Sequence, residues 1–180
     1  MPRTNRHSTR GGTRPPEPAP GLAASWERQT WSLRLLRAFL GVTFVYAGLQ
    51  KFLDSNFLHA GSPDFIGSQL QSFAQGSPIA PLLHLLNAQP VLTGIGVAAL
   101  ETAIGLATLL GVAPAASAAL GFVINLMLFL SATWRVHPYF LGSDSIYAAG
   151  WAAYFVGVLE LRVAQAAWDI RGSRAWIRRT

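Results

Sequence analysis

Four long apolar blocks dominate the chain. They run from Leu33 to Leu53, Val91 to Leu110, Ala115 to Trp134 and Ser145 to Leu161. Each is close to the roughly 20 residues that carry an α-helix through a bilayer. Pro90 precedes the second block, Gly111 follows it, and Pro114 suits the first turn of the third. The pattern predicts an all-α fold, a polytopic membrane four-helix bundle. The soluble alternative, a bundle of buried helices, is disfavoured because four such runs exceed what the core of a 180-residue chain hides.

A long segment, Asp54 to Gln89, separates the first two blocks. Phe65, Ile66, Gln69, Leu70 and Phe73 fall near one helical face, and Ile79, Leu82, Leu83 and Leu86 repeat the pattern beyond Pro78. This predicts two interfacial helices in the long outer loop, lying over the mouth of the bundle. A plain covered loop is the alternative.

Composition shows where the membrane ends. The chain is 51% hydrophobic and 12% charged, against about 25% charged in ordinary soluble domains, and the charge sits mostly at the two ends. Residues 1–30, rich in Pro, Gly, Ser, Thr and Arg, read as a disordered basic cytoplasmic tail. Residues 31–165 form the membrane domain, and residues 166–180 a second basic cytoplasmic tail. No small-residue cleavage site follows the first block, so no signal-peptide processing is expected. Arg3, Arg6, Arg10, Arg14 and Arg28 precede the first block, and Arg162, Arg171, Arg174, Arg178 and Arg179 follow the last. Excess arginine at both ends predicts that both termini are cytoplasmic. The net charge of +6 then points to anionic lipid headgroups as partner, and not to nucleic acid. The absence of cysteine excludes disulfides, cysteine nucleophiles and cysteine-ligated clusters.

Against this background Glu101 is the conspicuous residue, a carboxyl group near the middle of the second block. A charge at that depth costs several kcal/mol, roughly 3 on insertion scales, unless it has company. Gly94, Ala98, Gly105 and Thr108 share its helical face, so it should point at protein and not at lipid. On the first block Arg37, Gly41, Phe44, Gly48 and Lys51 follow helical steps along one face. Arg37 or Lys51 reaches Glu101 if its long side chain leans inward; Asn125 lies at similar depth. Paired with a cation, Glu101 stays ionised; facing Asn125 alone, it takes a proton. Such a centre is either packing glue or a proton or ligand site. The plain alternative for Lys51 is snorkelling toward the interface.

A second cluster, Arg135, His137, Tyr139, Asp144 and Tyr147, lies between the third and fourth blocks. Asp144 suits an N-cap of the fourth helix, and Trp134, Tyr139, Tyr147 and Trp151 suit an aromatic belt. Together with Lys51 the cluster has the chemistry to hold a small anion or the polar head of a quinone, with His137 as proton donor. The candidate catalytic groups are thus Glu101, His137 and Asp144. The candidate binding groups are Arg37, Lys51, Asn125, Arg135 and Tyr139. His59 and His84 have no metal-ligand spacing and His7 carries no signal, so no metal site is expected.

The stretches "LRAFLGVTFVYAGLQKFLD", "IGSQLQSFAQGSP", "LETAIGLATLLG" and "HPYFLGSDSIYAAGWAAY", in this order and spacing, resemble the DoxX/DoxD family, most closely its thiosulfate:quinone oxidoreductase small-subunit branch. The resemblance implies a four-span bundle in a bacterial or archaeal plasma membrane, serving a redox complex that passes electrons to quinone. It picks out Arg37, Gly48, Lys51, Glu101, Gly105, Pro138, Tyr139, Gly142 and Asp144. Quinone is then the electron acceptor, with no covalently bound cofactor. A partner redox subunit or a separate electron carrier is required, because a chain without cysteine holds no cysteine-ligated cluster; homo-oligomers are also compatible. The competing reading is a non-catalytic module that assembles or anchors a partner redox enzyme. A transporter has little support, for want of repeats or broken helices.

Overall fold

The computed structural model describes residues 22–177, with side chains described for residues 25–168. Among the described residues seven α-helices follow in order: α1 Leu22–Glu27, α2 Trp31–Leu53, α3 Ile66–Ala74, α4 Ala80–Leu86, α5 Pro90–Leu110, α6 Pro114–Ser131 and α7 Ser143–Ile177, with a 3-10 turn at Tyr139–Leu141 before α7. Four of them are long and apolar enough to cross a membrane: α2, α5, α6 and α7 as far as Trp168. They form the expected polytopic bundle, and α3 and α4 are the two short helices expected between the first and second spans.

The ends of these helices follow local chemistry. The Thr30 side chain accepts a hydrogen bond from the Leu33 amide and starts α2. Proline occupies the first position of both α5 and α6, where a missing N–H costs nothing. Gly111, at φ 73°, closes α5. Its amide bonds Thr108 O at 3.2 Å and the Val112 amide bonds Ala107 O at 2.8 Å, the paired closure of a Schellman motif.

The bundle is built as two tight pairs, α2 on α5 and α6 on α7. Small residues set the first approach. A Cβ on Gly105 would meet Val45 N at 2.7 Å and Gly41 O at 2.8 Å, and one on Gly48 would meet Ala98 O at 2.6 Å. These backbones touch as small-residue membrane interfaces do. In the second pair the Trp151 ring lies flat against Gly121. Leu40, Phe44, Ile104, Ala118, Trp151, Tyr154 and Val158 fill the space between the pairs. The outward faces are apolar too, with Leu35, Phe39, Val42 and Tyr46 of α2 and Leu92, Leu100 and Leu106 of α5 exposed. A helix apolar all round is not a soluble-bundle helix, and this removes the soluble alternative.

The two ends of the bundle differ. At one, the tight Gly111–Ala113 turn joins α5 to α6 beside α1; this is the turn end. At the other, α3 and α4 pack over the helices around Phe57, Ile66, Leu70, Ala74 and Leu83; this is the loop end.

Two boundaries are corrected. Residues 22–30, expected within the disordered tail, contain α1 and a turn, because Trp26 is anchored: its indole Nε1 donates to Leu109 O at 3.2 Å and its ring lies under the Arg37 guanidinium. The helix of the fourth span, expected to stop near Leu161, continues to Ile177, since helix propensity outlasts the apolar composition that marks the crossing. The remainder of the N-terminal tail, with Arg3, Arg6, His7, Arg10 and Arg14, lies outside the described residues, as do Arg178, Arg179 and the side chains of Arg171 and Arg174.

Candidate functional site

Glu101 lies mid-way along α5, is 2% exposed, and faces α2. Its partner is Lys51, from the last turn of α2. Lys51 Nζ donates to Glu101 Oε2 at 2.5 Å and to Ala47 O, one turn back, at 3.3 Å. The lysine therefore bends inward along its own helix and does not snorkel outward. Gly48 makes the pairing geometrically feasible, since any Cβ there would separate α2 from α5 at this level. Of the two cations on one face of α2, the nearer to the loop end closes the pair.

Arg37 is engaged elsewhere. It is 1% exposed and sits at the turn end. Its Nε donates to Thr108 O at 2.8 Å, one terminal nitrogen donates to Leu109 O at 3.1 Å, and the guanidinium also bonds Ser25 O and Oγ. Its Cζ stands 4.2 Å from the Trp26 ring centroid. A guanidinium stacked on an indole and closing the last carbonyls of a helix is a structural clamp. Of the two alternatives for Glu101, Arg37 or Lys51, the partner is Lys51; the Thr108 and Leu109 carbonyls at the end of α5 take the Arg37 donors.

Asn125 is buried, with Nδ2 donating to Gly121 O of its own helix at 3.1 Å. Asp144 is the second residue of α7, inside the helix and not its N-cap, where its negative charge suits the first turn. It is half-buried beside Thr133. Thr133 Oγ1 closes no hydrogen bond of standard geometry.

Arg135, His137 and Tyr139 form a different group. His137 Nδ1 lies 3.1 Å from Arg135 O, and the His137 ring lies 4.6 Å from that of Tyr139, which also packs on Phe129 and Trp134. All three are exposed, and Arg135 runs past Gly76. The expected gathering with Lys51 is absent from the contacts of these side chains; the aromatic neighbours hold the group at the surface.

The feature that periodicity did not supply is a cavity of about 240 Å³ between α3, α4, α5 and α6. Phe57, Leu70, Leu83, Val97, Ile124 and Met127 represent its mostly apolar wall, and among the described residues Lys51 is its one charged lining residue. Thr93 and Ser131, also on the wall, spend their hydroxyl donors on Leu86 O and Met127 O. Lys51 has three N–H donors; Glu101 and Ala47 account for two, leaving one for a guest. The faces of α3 and α4 that line this space carry the apolar spacing seen in the sequence, but the enclosure needs four helices at once.

No curated protein and no solved structure matches the chain. Residues 31–140, from the start of α2 to the 3-10 turn, match the family described as "TQO small subunit DoxD", TQO being thiosulfate:quinone oxidoreductase. Lys51, Glu101 and every cavity residue named lie within the match, whereas Gly142 and Asp144 lie beyond it. Four membrane-crossing helices, a carboxylate paired inside them and this match across most of the chain lead to one assignment: the protein is a multi-pass membrane protein of the DoxD family, the small-subunit family of thiosulfate:quinone oxidoreductase.

Proposed function

We propose that the chain is the membrane subunit of a quinone-reducing oxidoreductase of the thiosulfate:quinone type, and that the cavity above Lys51 receives the quinone ring. The carrying observation is Lys51, held by Glu101 behind it, at the wall of a mostly apolar cavity. An apolar ring with polar carbonyls needs this combination: a dry wall and a few placed donors. About 240 Å³ is below the roughly 300 Å³ at which small-molecule pockets begin. The cavity therefore suits a ring, with an isoprenoid tail leaving along the exposed faces of Leu82 and Leu100 toward lipid. The remaining N–H of Lys51 meets a quinone carbonyl, and Glu101 holds the ammonium in place.

The thiosulfate-oxidising step belongs, in this reading, to a partner redox subunit. Glu101 already neutralises Lys51, and Asp54 and Asp64 line the space beside it, so a sulfur oxyanion is repelled there. Both termini lie in the cytoplasm of a bacterial or archaeal cell, and α3 and α4 on the outer face, following the arginine bias.

Titration of the purified chain in detergent with a short-chain benzoquinone tests this. Saturable binding is expected, weakened about tenfold in Leu83→Trp, where the indole fills the cavity. Absence of saturable binding, or equal binding by Leu83→Trp, refutes the quinone site.

A further inference from the structure

Lys51 has a second neighbour. On its other side lies a polar cleft of about 390 Å³ lined by Ala47, Gln50, Lys51, Asp54, Phe57, Asp64 and Gln69. Lys51, Phe57 and Gln69 line both spaces. Phe57 is buried, while Gln50 and Asp64 are exposed and Asp54 half-buried, so the cleft opens outward between side chains that hold water well. Lys51 is the only lysine in the chain; every other member of its 14 basic residues is an arginine. The difference is chemical. A guanidinium keeps its proton in proteins, whereas a lysine ammonium releases its proton in a desolvated site.

We propose that Lys51 is a two-sided proton-transfer group: it faces substrate through the apolar cavity and water through the Asp54–Asp64 cleft. This rests on the quinone reading above. Reduction of a quinone to a quinol takes two electrons, supplied by the partner redox subunit, and two protons. Lys51 Nζ gives a proton across the cavity to a quinone oxygen. The neutral amine stays against Glu101 and Ala47 O and takes a proton from water in the cleft. The second proton follows the same route. Glu101 of α5 holds the ammonium, and Asp54 and Asp64 share the cleft with it. Asp54 and Asp64 draw protons toward the cleft, and α3 and α4 keep bulk water off the cavity side.

A lone lysine makes the test direct. The whole chain is reconstituted in phosphatidylcholine vesicles and treated with a water-soluble amine-acylating reagent or a lipid-soluble one. Peptide mass mapping separates Lys51 from the terminal amine. Acylation of Lys51 by the water-soluble reagent is expected, slowed at least fivefold when Gln50→Trp narrows the cleft. Labelling by the lipid-soluble reagent alone, or by neither, overturns the proposal, as does labelling that Gln50→Trp leaves unchanged. In membranes carrying the assembled complex, Lys51→Arg keeps the charge and is expected to lower quinol formation about 100-fold, a typical loss for a missing general acid. Full turnover by Lys51→Arg overturns the proton role while leaving the quinone site standing. No quinone binding by the unmodified chain overturns both.

Discussion

Arg37 and Lys51 lie on one face of α2, about 20 Å apart along its axis at 1.5 Å per residue, and both are drawn to α5. At the turn end the Arg37 fork meets backbone carbonyls, a serine and an indole, so its donors are spent on holding α1 and the end of α5 together. At the loop end the Lys51 ammonium meets one carboxylate and one carbonyl and borders two cavities. Two cations on the same helix face thus have different work. What separates them is how many donors the fold consumes, and whether the group can give up a proton.

The largest expected effect comes from removing the loop-end cation. Lys51→Met leaves Glu101 buried without its partner, a change of about 3 kcal/mol in stability, measurable as lowered thermal unfolding in detergent, with quinone reduction down about 100-fold or more. Adding Glu101→Gln should recover most of the stability and none of the turnover. If turnover also recovered, the pair would be glue, and the two ends of α2 would be alike after all.

Arg37→Ala probes the other end. Loss of charge-assisted bonds to α5 should cost about 2 kcal/mol and expose α1 to proteolysis, while short-chain quinone affinity of the folded fraction stays within about twofold. A large loss of affinity would tie the turn end to the cavity and break the division.

Gly48→Ala should follow, at roughly 1 to 3 kcal/mol. The added methyl would press on the Ala98 carbonyl at 2.6 Å and part α2 from α5 beside the pair, so stability and quinone affinity should fall together. The smallest effect is expected from Arg135→Ala and His137→Ala, each changing quinone affinity by less than about twofold. A tenfold change in either would return the surface aromatic group to the site.

The spans were legible because lipid leaves a plain record: long apolar runs, broken by Pro90, Gly111 and Pro114. The inward aim of Glu101 was legible from the small residues on its face, and α3 and α4 from their apolar spacing. Which cation reaches Glu101 was not. Periodicity puts Arg37 and Lys51 on the same stripe, and the choice depends on the carbonyls at the end of α5, which belong to another helix. Helix α1 was missed for a related reason: contacts of Ser25 and Trp26 with Arg37 and Leu109 hold it, and such isolated contacts have no period. The cluster of Arg135, His137 and Tyr139 looked close to Lys51 because both follow a span at the same end of the bundle. Adjacency at one end does not set direction, and stacking on Phe129 and Trp134 directs Tyr139 elsewhere.

The inward bend of Lys51 leaves the molecule with one ammonium reporter, placed where the charge matters. A chain grown on lysine enriched with nitrogen-15 at its ε position would give a single side-chain resonance, free of overlap. Its splitting counts the hydrogens on that nitrogen, so a spectroscopist can follow them directly while a quinone in the membrane is reduced.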